Sequence, residues 1–379
     1  MILPRTLSAI IKEKLTSSNK GILLYGARQV GKTTLVQQII AELQMKTLTI
    51  NADQSRYLDI LSSRDLAKIK SLVAGYDLLF LDEAQRISDI GINLRIILDN
   101  LSPLKVIVAG SSSLDLASKV SEPLTGRVWT YRLYPLSFFE LRHVYNEAEL
   151  DAYCQDRLIY GSYPEIFSYV SNTARREYLQ NLTDSYLYKD LLDFGGLKNS
   201  SKIRDLLKLL AFQLGSQVSL SELGNALEMG KDTVGRYIDF LEKSFVLFRL
   251  KGLSRNLRKE VSKMDKIYFY DVGVRNTLID NHKPIRDRND VGQLWENFLI
   301  VERIKVLAYT QHSAAMYFWR TYTGAELDFV EEREGRLSGY EFKFSSSRLR
   351  PPISWTGSYK NASFSPISRQ NYLDFILKP

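Results

Sequence analysis

Three apolar runs of strand length punctuate the first third of the chain: "GILLY" (21–25), "YDLLFL" (76–81) and "KVIVAG" (105–110). Each is too short for a helix of its own and is followed by small or charged residues, the signature of buried strands in an α/β fold. After the first run, Leu35, Val36, Ile39 and Ile40 recur at helical spacing. From 151 to about 215 the apolar residues return every three or four positions, in "LDAYCQDRLIYG", "ARREYLQNLTDSYLYKDLLDF" and "SKIRDLLKLLAFQLG", with Gly195-Gly196 breaking the second helix. Residues 218–252 predict a short helix from a serine cap, a turn at "EMG", a helix from Lys231 to Lys243 and the strand "FVLFRL". Near the end, 291–309 predicts an amphipathic helix with Leu294, Phe298, Val301 and Ile304 on one side. The strand "AAMYFWRT" follows, then "GAELDFVEEREGRLSGYEFKFS" (324–345), a hairpin with a charged turn.

Chemistry enters at Gly26-Ala27-Arg28-Gln29-Val30-Gly31-Lys32-Thr33-Thr34, which has the spacing G-x-x-x-x-G-K-[ST] between a strand and a helix. The glycines let the backbone N–H groups turn toward phosphate oxygens, and the helix adds its positive end. Lys32 would reach the β- and γ-phosphates, and the Thr33 hydroxyl would bind Mg²⁺. The second apolar run ends in Asp82-Glu83, placing one carboxylate for the Mg²⁺ shell and a second to polarise an attacking water. Ser111 or Ser112, after the third run, would sit between these motifs and sense the γ-phosphate. The expected ligand is ATP with Mg²⁺. No N-K-x-D follows the loop, so a GTPase reading has no support.

These residues, with "LTGR…YPLSFFE" and "YGSYPEI" (160–166), resemble the AAA+ ATPases, and more narrowly the bacterial and archaeal ATPases with a C-terminal domain of unknown function. The resemblance runs nearly end to end. It implies that Arg127 stabilises the phosphoryl charge, in cis or in trans; the plainer reading is a surface arginine.

Helix, turn, helix and strand is the order of a winged helix. Lys231, Thr233 and Arg236 then lie where a recognition helix reads base edges. The loop 254–266 would be the wing, with Arg255, Arg258, Lys259, Lys263 and Lys266 facing phosphates. Winged helices also dock proteins, so DNA and a protein partner both stay open.

On the hairpin, Asp328, Glu341 and Lys343 either share a face that binds a metal ion or are ordinary solvated charges. The order of helix and three strands resembles the PD-(D/E)xK nuclease core, to which the C-terminal domain of such ATPases has been likened. The resemblance implies a site of Glu296, Asp328, Glu341 and Lys343, the two hairpin acids sharing a cation. Leu327 replaces the proline of the "PD" pair, and the prolines in "SSSRLRPPISWTG" point to an abbreviated core.

Composition changes this picture little. With 379 residues, 45% hydrophobic and 25% charged, the chain has the make-up of a soluble multidomain protein. An excess of 51 basic over 43 acidic residues, net +8, permits nucleic-acid binding without establishing it. One cysteine, Cys154, excludes a disulfide framework, and three scattered histidines offer no zinc-ligand spacing. The N-terminus lacks a secretory core and no run is long enough to span a membrane, so the expectation is a cytoplasmic protein without membrane partners. The expected organisation is a P-loop AAA+ domain over 1–150, a helical connector over 151–215, a winged helix over 216–270 and a nuclease-like α/β domain over 271–379. The expected function is an ATP-dependent switch acting on DNA or a protein; the alternatives are an ATP-regulated, Mg²⁺-dependent nuclease and a scaffold with an inert C-terminal domain.

Overall fold

A computed structural model describes residues 3–111, 124–187, 200–255, 264–345 and 349–379. They form two compact units, 2–134 with 243–245, and 135–242 with 246–379.

In the first unit β1 (Gly21–Tyr25), β2 (Thr47–Asn51), β3 (Leu78–Asp82), β4 (Lys105–Gly110) and β5 (Val128–Arg132) form a sheet in the order β2-β3-β4-β1-β5. Every pairing is parallel. β1 and β3 are buried at all five positions, which is why they read as unbroken apolar runs. Because β4 lies between β1 and β3, the residue after β4 falls between the phosphate loop and Asp82.

In the second unit, the helix Glu147–Tyr160 starts from a capping box of Asn146 and Glu149. Ser219 caps the helix Leu220–Leu227, Glu228 turns the chain at φ 50°, and the helix Lys231–Lys243 follows, as the sequence predicts. The strands β6 (Leu247–Gly252) and β7 (Lys266–Phe269) pair antiparallel. β6 also pairs in parallel with β8 (Ala315–Arg320). With β9 (Glu326–Arg333), β10 (Arg336–Phe342) and β11 (Ser363–Ile367) this gives a six-stranded sheet in the order β11-β10-β9-β8-β6-β7. The strands on either side of the expected wing therefore both belong to the C-terminal sheet, and the segments expected as connector, winged helix and nuclease-like domain share one compact unit apart from 243–245.

Two expectations differ from the fold. The helix Val291–Tyr309 is buried on nearly all sides, its charges included, rather than along one stripe. Those charges are compensated inside: Lys305 Nζ lies 2.7 Å from Glu302 Oε1, and Arg303 Nη2 lies 3.1 Å from Glu331 Oε2. Regular elements also continue past the prolines. Pro352 caps the helix Ile353–Ser358, where a proline costs no helical hydrogen bond, and β11 and the helix Tyr372–Leu377 follow. Among the described residues no helix is long and apolar enough to cross a membrane. Gly195-Gly196 lie outside the described residues.

Candidate nucleotide site and a second charged cluster

The loop between β1 and the helix Lys32–Leu43 is shaped by two close constraints. A Cβ at Gly26 would lie 2.3 Å from the carbonyl oxygen of Leu133, so only glycine lets the backbone pass. Gly31 sits at φ 93° as the N-cap of the helix, in the left-handed region. Between them Ala27 and Val30 are buried, whereas Gln29 is exposed and Arg28 half-buried. Thr33 and Thr34 are exposed in the first helical turn. Lys32 is 5% exposed, and its Nζ donates to the carbonyls of Gly26 at 2.9 Å and Ala27 at 3.0 Å.

Thr33 Oγ1 donates to Asp82 Oδ2 at 2.5 Å, bringing the two predicted Mg²⁺ ligands together across 49 positions of sequence. Burial pushes the Asp82 carboxyl up, and the neighbouring Glu83 pushes it the same way. The Thr33 hydroxyl and, more weakly, the Lys32 ammonium oppose that shift. Glu83 itself sits at φ 50°, a strained left-handed conformation for a residue with a Cβ. Ser111 Oγ donates to Glu83 Oε2 at 3.1 Å, the position between motifs that the sequence anticipates. Ser112 lies outside the described residues.

Two residues at this site carry no sequence signal. Gln85 Nε2 donates to Glu83 and, at 3.0 Å, to Ser111 Oγ, closing a three-membered network around the glutamate. Arg5 donates to Val30 O at 2.7 Å and Tyr134 O at 2.6 Å, clamping the phosphate loop from a distant part of the chain. A lone arginine near the start of a chain gives no hint of such a partner.

Arg127 does not fit the in-cis role. It precedes β5, its carbonyl accepts the Gly21 N–H at 3.0 Å, and its Nε lies 2.7 Å from Asp99 Oδ1. Gly21 opens β1 and the loop leaves its other end, so four strand steps of about 3.3 Å separate Arg127 from the loop. From the amino end of the sheet it does not reach phosphates held by its own chain.

In the second unit the structure gathers the hairpin acids. Asp328 Oδ2 accepts the Phe342 N–H at 2.7 Å, and Lys343 Nζ lies 2.7 Å from Glu341 Oε1. Burial, then Glu296 and Glu341, push the Asp328 carboxyl up to about 8. Lys266, expected on an exposed wing, is instead 4% exposed, 3.3 Å from Glu296 and 2.7 Å from Glu326. Among the described residues no group of three or more His, Cys, Asp or Glu is arranged to hold a metal ion.

Lys231 and Arg236 are exposed on their helix, Thr233 is half-buried, and Arg236 Nη2 donates to Thr233 Oγ1 at 3.2 Å. Arg255 pairs with Glu332 on β9, so it is already engaged within the sheet. Arg258, Lys259 and Lys263 lie outside the described residues.

A family model agrees with the phosphate loop. Residues 18–142 match the family model of an AAA domain. Residues 152–284 and 291–353 match two domains of unknown function, DUF8612 and DUF4143. Among solved structures, the Walker-type ATPase PABY2304 of Pyrococcus abyssi is similar at TM-score 0.48 and 16% identity, over 73% of this chain and 96% of that one. AMPPCP-bound DnaA from Aquifex aeolicus is similar at TM-score 0.32 and 16% identity, over 63% and 87%. The uncharacterized protein MJ1544 of Methanocaldococcus jannaschii is 24% identical over 82% of this chain and 72% of its own length. The uncharacterized protein Rv2008c of Mycobacterium tuberculosis is 31% identical over 330 residues, 86% of this chain and 70% of its own length. The chain therefore belongs to the family of that mycobacterial protein, as an ATP-binding P-loop ATPase of the AAA type with a C-terminal domain of unknown function.

Proposed function

We propose that the protein hydrolyses ATP with Mg²⁺ and acts as a nucleotide-dependent switch that engages DNA through the helix Lys231–Lys243. The observation that carries the first half is the 2.5 Å hydrogen bond between Thr33 and Asp82. A hydroxyl and a carboxylate at one point are the oxygen donors Mg²⁺ takes, with waters and phosphate oxygens completing its shell. The ion supplies charge neutralisation at the β- and γ-phosphates. The rest falls to side chains. The loop N–H groups and the helix end receive the phosphates. Lys32 exchanges its two carbonyl partners for phosphate oxygens, and Glu83 orients the attacking water. Ser111 and Gln85 hold Glu83 in place.

Lys32→Ala is expected to abolish ATP binding or turnover, and unaltered hydrolysis would end this reading. Support for the second half is the cap, turn and paired helices of a winged helix with exposed Lys231 and Arg236. Charge reversal of Lys231, Arg236, Arg258 and Lys259 should weaken DNA binding and flatten its salt dependence. Equal affinity in a mobility-shift titration would leave a protein partner as the occupant. Cleavage by Glu296, Asp328, Glu341 and Lys343 is the competing reading, favoured by their gathering in one cluster. A nicking assay with Mg²⁺ or Mn²⁺ and the Asp328→Ala control tests it; the expected result is intact DNA.

A further inference from the structure

Lys266 opens β7 and is buried, yet it sits among acids from two other elements. Its Nζ is 3.3 Å from Glu296 Oε1 on the helix Val291–Tyr309 and 2.7 Å from Glu326 Oε1 on β9. The face of the Phe318 ring lies 5.4 Å from the same ammonium, a third favourable contact. Tyr268 donates its hydroxyl to Glu296 as well, so one oxygen of that carboxylate serves both residues. Asp328 is two residues from Glu326 on the same face of β9, and its carboxyl feels both Glu296 and Lys266. Burial alone would discharge a lysine, but the carboxylates of Glu296 and Glu326 hold this one above its ordinary value.

We propose that Lys266 is a built-in counter-cation: its ammonium takes the place against Glu296 and Glu326, in the field of Asp328, that a divalent ion would need, and latches β7 to β9 and the helix Val291–Tyr309. Two cations cannot stand side by side at this buried position without strong repulsion, and the lysine is covalently present at full effective concentration. Its stem is enclosed, leaving it little room to swing aside. The acid cluster is then occupied without metal, which also accounts for the expectation of intact DNA. This inference does not depend on the nucleotide chemistry.

The test is Mn²⁺ binding to the full-length chain, read from the loss of the free-ion electron paramagnetic resonance signal. An Asp82→Asn background removes the carboxylate beside the phosphate loop. The parent in this background is expected to bind no ion that Asp328→Asn removes. Adding Lys266→Met should create one bound Mn²⁺ per chain, lost again on Asp328→Asn. A bound ion in the parent that Asp328→Asn abolishes would overturn the proposal. So would a folded Lys266→Met chain that gains none. Lys266→Gln, which keeps a polar group against the acids, is the second variant if the methionine does not fold. Should neither fold, the parent alone decides: an ion lost on Asp328→Asn overturns the proposal, and its absence supports it.

Discussion

Lys32 and Lys266 are both nearly fully buried lysines, at 5% and 4% exposure, yet they are held in opposite ways. Lys32 donates to two neutral backbone carbonyls of its own loop. Lys266 is enclosed by carboxylates from two other elements. A carbonyl contact is readily exchanged for a phosphate oxygen, whereas leaving a buried ion pair strands the charges behind. The same residue type is thus poised for a ligand in one unit and committed to the fold in the other.

The largest effect that would break this comparison is on nucleotide binding. Lys32→Ala should lower ATP affinity or turnover by at least about 100-fold, because the charge facing the phosphates is lost. Its urea unfolding midpoint should move little. If stability falls as much as activity, Lys32 is a structural residue like Lys266.

The converse variant, Lys266→Met, should destabilise the chain by about 3–5 kcal/mol, the usual cost of removing one partner from a buried pair. Denaturant unfolding measures this, and a loss below about 1 kcal/mol would mean that the acids find other compensation. Lys266→Met with Glu296→Gln should cost less than the single change, since one stranded charge disappears.

Two groups of the second unit should part in their pH response. Asp328 is pushed up to about 8 by burial and by Glu296 and Glu341. Between an unfolded carboxyl value near 4 and about 8, the folded state holds a proton that the unfolded chain has released. Stability therefore falls as pH rises through that window, and Asp328→Asn should flatten the slope in thermal melts. His282, lowered to about 4 chiefly by burial, gives the opposite sign. Between about 4 and the ordinary histidine value near 6.5 the unfolded chain binds the extra proton, so stability rises with pH there. Melts of His282→Gln should lose that rise.

Smallest is the effect of the glutamate's supports. Ser111→Ala or Gln85→Ala should slow ATP turnover by roughly tenfold without loss of ATP binding, since each leaves Glu83 one remaining partner. A Glu83→Gln variant should bind ATP and fail to turn it over. An equal loss of affinity in all three would place Ser111 and Gln85 on the ligand rather than on the glutamate.

Much of the nucleotide site was readable from the chain because its parts are local. The loop glycines, Lys32 and Thr33 lie within eight residues, and Asp82-Glu83 ends an apolar run that only a buried strand explains. The paired helices were equally legible, since Ser219, the turn at Glu228 and the helix Lys231–Lys243 are set by capping and periodicity. The in-cis alternative for Arg127 could not be decided from the motif, which gives no strand direction: the parallel pairing of β5 with β1 puts it beside Gly21. Lys266 was misplaced because a lysine among basic loop residues reads as solvated, and its acids lie 30 and 60 positions away.

Local spacing and apolar periodicity by themselves determined the phosphate loop, the acidic strand end, the helix pair and the charged hairpin, because caps, turns and strand runs depend on neighbours in sequence. Only the tertiary structure decided how charges meet. It set Gln85 and Ser111 on Glu83, clamped the loop with Arg5, carried β6 into the C-terminal sheet and enclosed Lys266 among acids. Whether a charge faces water or another charge depends on burial and on strand order, and neither is a property of a short stretch of chain.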